Sequence, residues 1–116
     1  MRHSTGNRTK AEQARFDKMK EMGICMACYQ LGMQGYQYVE IHHLLSGNKR
    51  IGHMATVSLC PYHHRGAWEG VAGSLADARA GYGASVSHGS KLFRAEFGTD
   101  KELLAMQNEF LGVTHE

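Results

Sequence analysis

The chain has 116 residues, 21% of them charged, and a formal net charge of +2 at pH 7 with its histidines neutral. This length fits one domain with one modest core, and no apolar stretch has the length of a membrane span or the flanks of an export signal. The small net charge does not by itself indicate nucleic-acid binding, and we expect a soluble, intracellular protein with reduced cysteines.

Four helices and two strands are predicted, beginning with the first half of the chain. A capping-box pattern of Thr9 with Glu12 opens a helix that ends at Gly23. The β-prone residues 36–41 predict a strand that leads into a pair of histidines. A second strand is predicted over residues 56–59, followed by a helix that begins near Pro61.

The second half of the chain is predicted to be helical after a loosely structured stretch. Residues 66–89 are rich in Gly, Ala and Ser, and no long helix is predicted across them. Ser90 is predicted to cap a short helix, and Thr99 with Glu102 forms a second capping box for a helix that ends at Gly112. We interpret the apolar faces of these helices as core packing, with a groove for a partner as the alternative. The order of elements predicts an α+β fold.

Positive charge is concentrated in the first twenty residues, where basic residues outnumber Glu12 and Asp17. The basic residues are Arg2, Arg8, Lys10, Arg15, Lys18 and Lys20. A basic arm of this kind favours contact with the phosphate backbone of DNA. The alternative is a solvated tail and helix face. We therefore expect two regions, a basic arm and helix over residues 1–22 and a second domain over residues 23–116.

Three cysteines and a histidine have the spacing of a structural zinc site. Cys25 and Cys28 form a Cys-x-x-Cys turn, and Cys60 with His63 supplies a second turn that completes a tetrahedron of ligands. His64 can replace His63 after a small backbone change. The alternative is that Cys25 and Cys28 are buried or redox-active thiols and that Cys60 is an ordinary core residue. A disulfide framework is disfavoured because three cysteines leave one unpaired.

A second site is indicated by His42 and His43 together with the helix histidines. Because neighbouring strand residues point to opposite sides, His42 and His43 are expected to have different roles. One neutral imidazole can take a proton from water that attacks phosphorus, while the others hold a divalent ion. The alternative is that His42 or His43 completes the zinc tetrahedron, while His63 and His64 pack or bind phosphate.

Five segments carry a resemblance to a known family: Cys25-Met26-Ala27-Cys28, His42-His43-Leu44-Leu45-Ser46-Gly47, Gly52-His53, Leu59-Cys60-Pro61-Tyr62-His63-His64-Arg65-Gly66 and Ser87-His88-Gly89. They resemble the zinc-containing HNH endonucleases, which have a ββα-metal core. More narrowly, they are similar to the phage recombination-enhancement nucleases of the Ref type, which act on DNA where a RecA recombinase filament is bound. The similarity spans about residues 23–111.

The resemblance implies a role for each matching histidine. It makes His43 the general base and places His42 and His64 on a catalytic metal, while His63 takes the position of a fourth zinc cysteine. The implied catalytic ion is Mg²⁺ or Mn²⁺, although an all-imidazole site favours Zn²⁺ or Ni²⁺ in crystals. We also expect Arg65, beside the helix histidines, to contact DNA.

The chain departs from the HNH pattern at two positions. The central asparagine would fall near Ala55 or Thr56, neither of which can make the same side-chain contact, so another group must orient His43. A further metal ligand would fall near Trp68, which cannot bind a metal. His88 is the first candidate for that vacant place, followed by His53 or water, although both histidines also fit ordinary surface or loop positions.

The function predicted from the sequence is a metal-dependent DNA endonuclease that acts in phage recombination with a RecA-type filament. The resemblance implies a phage or prophage protein in the cytoplasm of a bacterial host. The alternative function is a catalytically inactive zinc-binding module that docks DNA or the recombinase.

Overall fold

The computed structural model describes residues 8–33, 35–46, 49–50 and 52–113. The elements in chain order are α1 (Lys10–Met22), α2 (Met26–Gln30), β1 (Glu40–His43), β2 (Leu45–Ser46), β3 (Lys49–Arg50), β4 (Thr56–Leu59), α3 (Pro61–Arg65), a 3₁₀ turn (Trp68–Gly70), α4 (Leu75–Tyr82), α5 (Val86–Phe97) and α6 (Asp100–Leu111). The predicted α+β class is confirmed. In the described ranges, no helix is both long and apolar enough to cross a bilayer.

The two longer strands form an antiparallel pair that leads directly into α3. β1 and β4 pair with Glu40 opposite Leu59 and His43 opposite Thr56. All residues of β4 are buried and those of β1 are partly buried, so β4 lies deeper in the molecule. β2 and β3 form a short antiparallel ribbon between them in the chain. The result is a strand, strand and helix unit that carries the histidine motifs.

Capping residues confirm the predicted starts of α1 and α6 and the predicted end of α1. The Oγ1 atom of Thr9 accepts a hydrogen bond from the backbone of Glu12 at 3.1 Å, and Thr99 accepts one from Glu102 at 3.2 Å. Both glutamates return a hydrogen bond to the capping residue, which completes two capping boxes. α1 ends at Gly23, whose φ of 61° is the left-handed conformation that favours glycine.

One predicted boundary is wrong. The first strand begins at Glu40 instead of residue 36, so both histidines lie within the strand. The short helix predicted after Ser90 is present as the second part of α5, because the backbone leaves helical geometry at Gly89 (φ 166°, ψ 73°). The first turn of α5, from Val86, is not predicted, and Ser85 caps it by accepting a hydrogen bond from the backbone of His88 at 3.1 Å. The stretch predicted to be loosely structured also contains the eight residues of α4.

The core surrounds β4, and a smaller apolar cluster attaches α1 to it. Phe16 and Met19 of α1 pack with Leu111 of α6, and Ile41 of β1 packs against this cluster. α1 therefore lies against the same body that carries the histidine motifs. The expected division of the chain at residue 22 stays a prediction.

Arg15 of α1 points into the interior of the protein. The sequence analysis instead predicts that Arg15 contacts DNA. Only 8% of the residue is exposed, and its guanidinium donates hydrogen bonds to the Oγ1 and carbonyl oxygen atoms of Thr56 at 2.9 and 2.6 Å. A third hydrogen bond reaches Oδ1 of Asn108 at 2.6 Å. A guanidinium engaged by buried acceptors is not free to contact phosphate, so we remove Arg15 from the DNA-binding set.

Candidate metal centre and histidine site

The predicted zinc ligands lie together in the interior. One ligand atom from each of Cys25, Cys28, Cys60 and His63 lies within 4.8 Å of the other three, and all four residues are buried. Cys25 and Cys60 are the N-caps of α2 and α3, and their sulfurs accept backbone N–H groups from Cys28 and His63 at 3.4 and 3.5 Å. The same short motif therefore forms both halves of the cluster.

His63 has the orientation that a metal ligand requires. Its Nδ1 atom lies 3.7, 3.4 and 3.3 Å from the sulfurs of Cys25, Cys28 and Cys60, and its Nε2 atom lies 2.8 Å from the carbonyl oxygen of Tyr82. Because a carbonyl oxygen only accepts, Nε2 carries a proton, and Nδ1 is the nitrogen that faces the sulfurs and would bind a metal ion after losing its own proton. The ring is thus fixed by the end of α4.

The charges expected on the buried sulfurs also favour the binding of a cation. Burial, followed by hydrogen bonds to Cys28 and Cys60, raises the pKa of Cys25. Hydrogen bonds from Cys25 and Cys28 lower the pKa of Cys60, so negative charge concentrates on this sulfur. Several thiolates can share such a buried space only when a positive ion compensates them. Three sulfurs and one imidazole are the donor set of a structural zinc site, so the cluster can hold zinc.

His42 and His64 meet on one face of β1. Their ring centroids are 5.2 Å apart, and Nδ1 of His64 lies 2.8 Å from a carboxylate oxygen of Glu40. Arg65 donates to the same carboxylate at 2.9 Å. Burial alone would raise the pKa of Glu40, but the hydrogen bonds from His64 and Arg65 outweigh it and lower the pKa. An ionised Glu40 accepts the Nδ1 proton of His64, which leaves the lone pair of Nε2 for a metal ion.

The third predicted ligand of the catalytic metal is His88, and it has other contacts. Its Nδ1 atom lies 3.2 Å from Oγ of Ser85, and its ring lies against Gly66 at the end of α3. In the described part of the chain, three or more close metal-binding side chains occur together only in the cysteine cluster. The structure therefore brings His42 and His64 together, and participation by His88 stays a prediction.

His43 lies on the opposite face of β1, as the alternation of strand side chains predicts. Its Nε2 atom lies 3.0 Å from Nδ1 of His53, and the ring of Phe16 contacts both imidazoles edge to face, with centroids 5.8 and 5.6 Å away. Burial, followed by the positive charge of Arg50, lowers the pKa of His43 to about 4. Burial, followed by His64, lowers the pKa of His42 to about 4 as well. Both imidazoles are neutral near pH 7.

Three residues that act on these histidines are not predicted from the sequence, namely Glu40, Arg50 and His53. Glu40 lies two residues before His42 and therefore on the same strand face, which is a signal that the sequence contains. The sequence predicts His53 only as a metal ligand or a loop residue and predicts no role for Arg50. Their positions depend on the fold of residues 45–56, whose short strands give little sequence signal.

These observations define a small α+β domain with a buried Cys₃His metal centre beside a strand, strand and helix unit that carries histidines on both faces of one strand. A family model described as recombination enhancement, RecA-dependent nuclease, matches residues 8–112. The chain therefore belongs to this family, which confirms the resemblance to the recombination-enhancement nucleases. No curated protein matched the chain.

The neighbouring helix histidines provide a matched test of the metal centre. We expect His63→Ala to release the zinc of the purified protein during dialysis against a chelator, because one of four ligands is lost. His64→Ala should retain that zinc, since His64 contacts Glu40 instead of the sulfurs. Metal analysis and thermal unfolding of both variants measure the effect. Equal zinc loss from the two variants would contradict this assignment.

Proposed function

We propose that the protein is a metal-dependent DNA endonuclease of the HNH type that hydrolyses phosphodiester bonds in association with a RecA filament. Membership of the RecA-dependent nuclease family supports this proposal. The main structural support is the separation of the histidines by β1. His42 lies with His64 on one face, while His43 lies on the other face and outside the cysteine cluster.

The proposed general base is His43. Its Nε2 atom is engaged by His53, so Nδ1 is the remaining ring nitrogen that can accept a proton from an attacking water. The imidazole enters the reaction neutral, because its burial disfavours the charged form. Two cations lie close enough to affect its titration, Arg50 of β3 and Arg8, and Arg8 stacks 5.1 Å over the ring of Phe16. These cations can hold a phosphate beside the base.

We propose His42 and His64 as two ligands of a divalent ion at the second site, supported by their ring centroids lying 5.2 Å apart, with His88 as the third. When bound, Mg²⁺ or Mn²⁺ would neutralise the scissile phosphate and the departing 3′ oxygen. Glu40 orients the ring of His64 through a hydrogen bond of 2.8 Å. His42 is partly buried and neutral, so its lone pair is available without loss of a proton.

The proposed DNA contacts are exposed basic side chains at the surface of α1 and near the histidines. Lys10, Lys18 and Lys20 are exposed on α1. Arg65 is exposed and shares the carboxylate of Glu40 with His64, so a phosphate at Arg65 would lie close to the second site. Arg8 and Arg50 are the other proposed DNA contacts among the described residues. Arg2 lies outside the described residues.

A catalytically inactive module that docks DNA or the recombinase is the second candidate. One observation favours it: among the described residues, no three histidines lie close enough together to hold an ion at the second site. Nicking of plasmid DNA with Mg²⁺ or Mn²⁺, with and without RecA and ATP, separates the candidates. Binding without cleavage under every one of these conditions would favour the module.

The general base provides the first test of the endonuclease. We expect His43→Ala to lower the nicking rate by about 100-fold or more, because proton transfer by a positioned side chain contributes on that scale. Zinc content and circular dichroism should match those of the wild type, since His43 lies outside the cysteine cluster. A folded His43→Ala protein that nicks at the wild-type rate would remove His43 from this role.

The basic face of α1 provides a separate test. Deletion of residues 1–20 would also remove the buried Phe16 and Met19, so substitution is the cleaner change. Replacing Lys10, Lys18 and Lys20 with Gln should weaken DNA binding and reduce the slope of log affinity against log salt by about one unit per lost phosphate contact. Asp17→Asn, on the same helix, should strengthen binding. An unchanged slope in the triple variant would exclude α1 from the interface.

A further inference from the structure

We infer that His53 is the positioning residue for His43 and holds its imidazole so that Nδ1 faces the reacting water. This inference rests on the proposed function of His43 as general base. The sequence indicated that another group must orient His43, because Ala55 and Thr56 stand where the HNH pattern has its asparagine. His53 supplies a nitrogen acceptor 3.0 Å from Nε2 of His43.

The hydrogen bond between the two imidazoles has one donor and one acceptor. When His43 donates its Nε2 proton to Nδ1 of His53, its own Nδ1 atom carries the lone pair. The opposite arrangement would place the proton of His43 on Nδ1 and block the base. The inference therefore assigns His43 to the Nε2–H tautomer and His53 to the tautomer protonated at Nε2.

The backbone of His53 is anchored through Thr56. Oγ1 of Thr56 donates to the carbonyl oxygen of His53 at 2.9 Å, and Nε of Arg15 donates to the same Oγ1 at 2.9 Å. Thr56 also pairs with His43 across the two strands. The buried Arg15 therefore fixes the turn that carries His53 relative to the strand that carries His43.

The surroundings of His53 support a role for this residue in the hydrogen bond with His43. Only 3% of the residue is exposed, and Phe16 packs on both rings. Within the described ranges, Nε2 of His53 has no hydrogen-bond partner, so the contact with His43 is the one hydrogen bond of this imidazole. A buried polar ring with one satisfied nitrogen is a poor choice for packing alone, because an apolar side chain would fill the space without a desolvation cost.

The tautomers can be measured in the full-length wild-type protein by NMR with ¹⁵N-labelled histidine. We expect the neutral His43 ring to carry its proton on Nε2 and to show scalar coupling across the hydrogen bond to Nδ1 of His53. A His43 ring protonated on Nδ1, or rings without this coupling, would overturn the inference. This measurement does not depend on nuclease activity.

Two substitutions then separate positioning from packing. His53→Leu preserves bulk but removes the acceptor, and His53→Asn retains an acceptor at the δ position. At saturating DNA we expect His53→Leu to lower the nicking rate by about 10- to 100-fold, with His53→Asn restoring most of it. DNA affinity and zinc content should be unchanged in both. A folded His53→Leu protein as active as the wild type, or a folded His53→Asn protein no better than His53→Leu, would overturn the inference.

Failure of this inference is distinguishable from failure of the proposed function. If His43→Ala is inactive while His53→Leu is fully active, His43 remains the base and only the positioning role is lost. If His43→Ala is itself fully active, His43 is not the base and the inference fails with that assignment, whereas the endonuclease function fails only if the wild-type protein binds DNA without nicking it. Should His53→Leu not fold, the NMR measurement on the wild-type protein decides the inference.

Discussion

The buried Cys₃His cluster is the constraint on which the rest of the structure depends. It joins the N-terminal ends of α2 and α3, two helices of five residues each that are too short to be stable alone. Through His63 it also reaches the end of α4, where the adjacent Tyr62 donates a second hydrogen bond to the carbonyl oxygen of Gly83 at 2.6 Å. A metal ion in this cluster would therefore fix the helix that presents His64.

β1 divides the histidine chemistry between two environments. One face carries His42 beside His64, with Glu40 as the partner of His64. The other face carries His43 beside His53 under the ring of Phe16. This separation follows from strand alternation alone, and it allows one imidazole to remain outside both the cysteine cluster and the proposed second metal site. It gives the two adjacent histidines distinct proposed roles.

Short-range patterns in the sequence predicted most of the framework, while long-range contacts decided the details of the site. The capping boxes, the cysteine spacing and Pro61 act within three or four residues, so they could be read directly. The first turn of α5 could not, because it stands between Ser85 and the break at Gly89 and is too short to give a periodic signal. The contact of His43 with His53 requires the fold of the intervening ribbon. The contacts of Arg15 with Thr56 and Asn108 cross 41 and 93 residues, and a buried arginine looks like a surface one in the sequence.

The proposed mechanism requires two separate cation sites, with His43 bound to neither ion. Anomalous diffraction from wild-type crystals soaked in Mn²⁺, recorded at the zinc and manganese edges, would locate both ions. We expect a zinc peak among Cys25, Cys28, Cys60 and His63, and a manganese peak bound by His42 and His64. A map in which His43 coordinates either ion would rule this mechanism out.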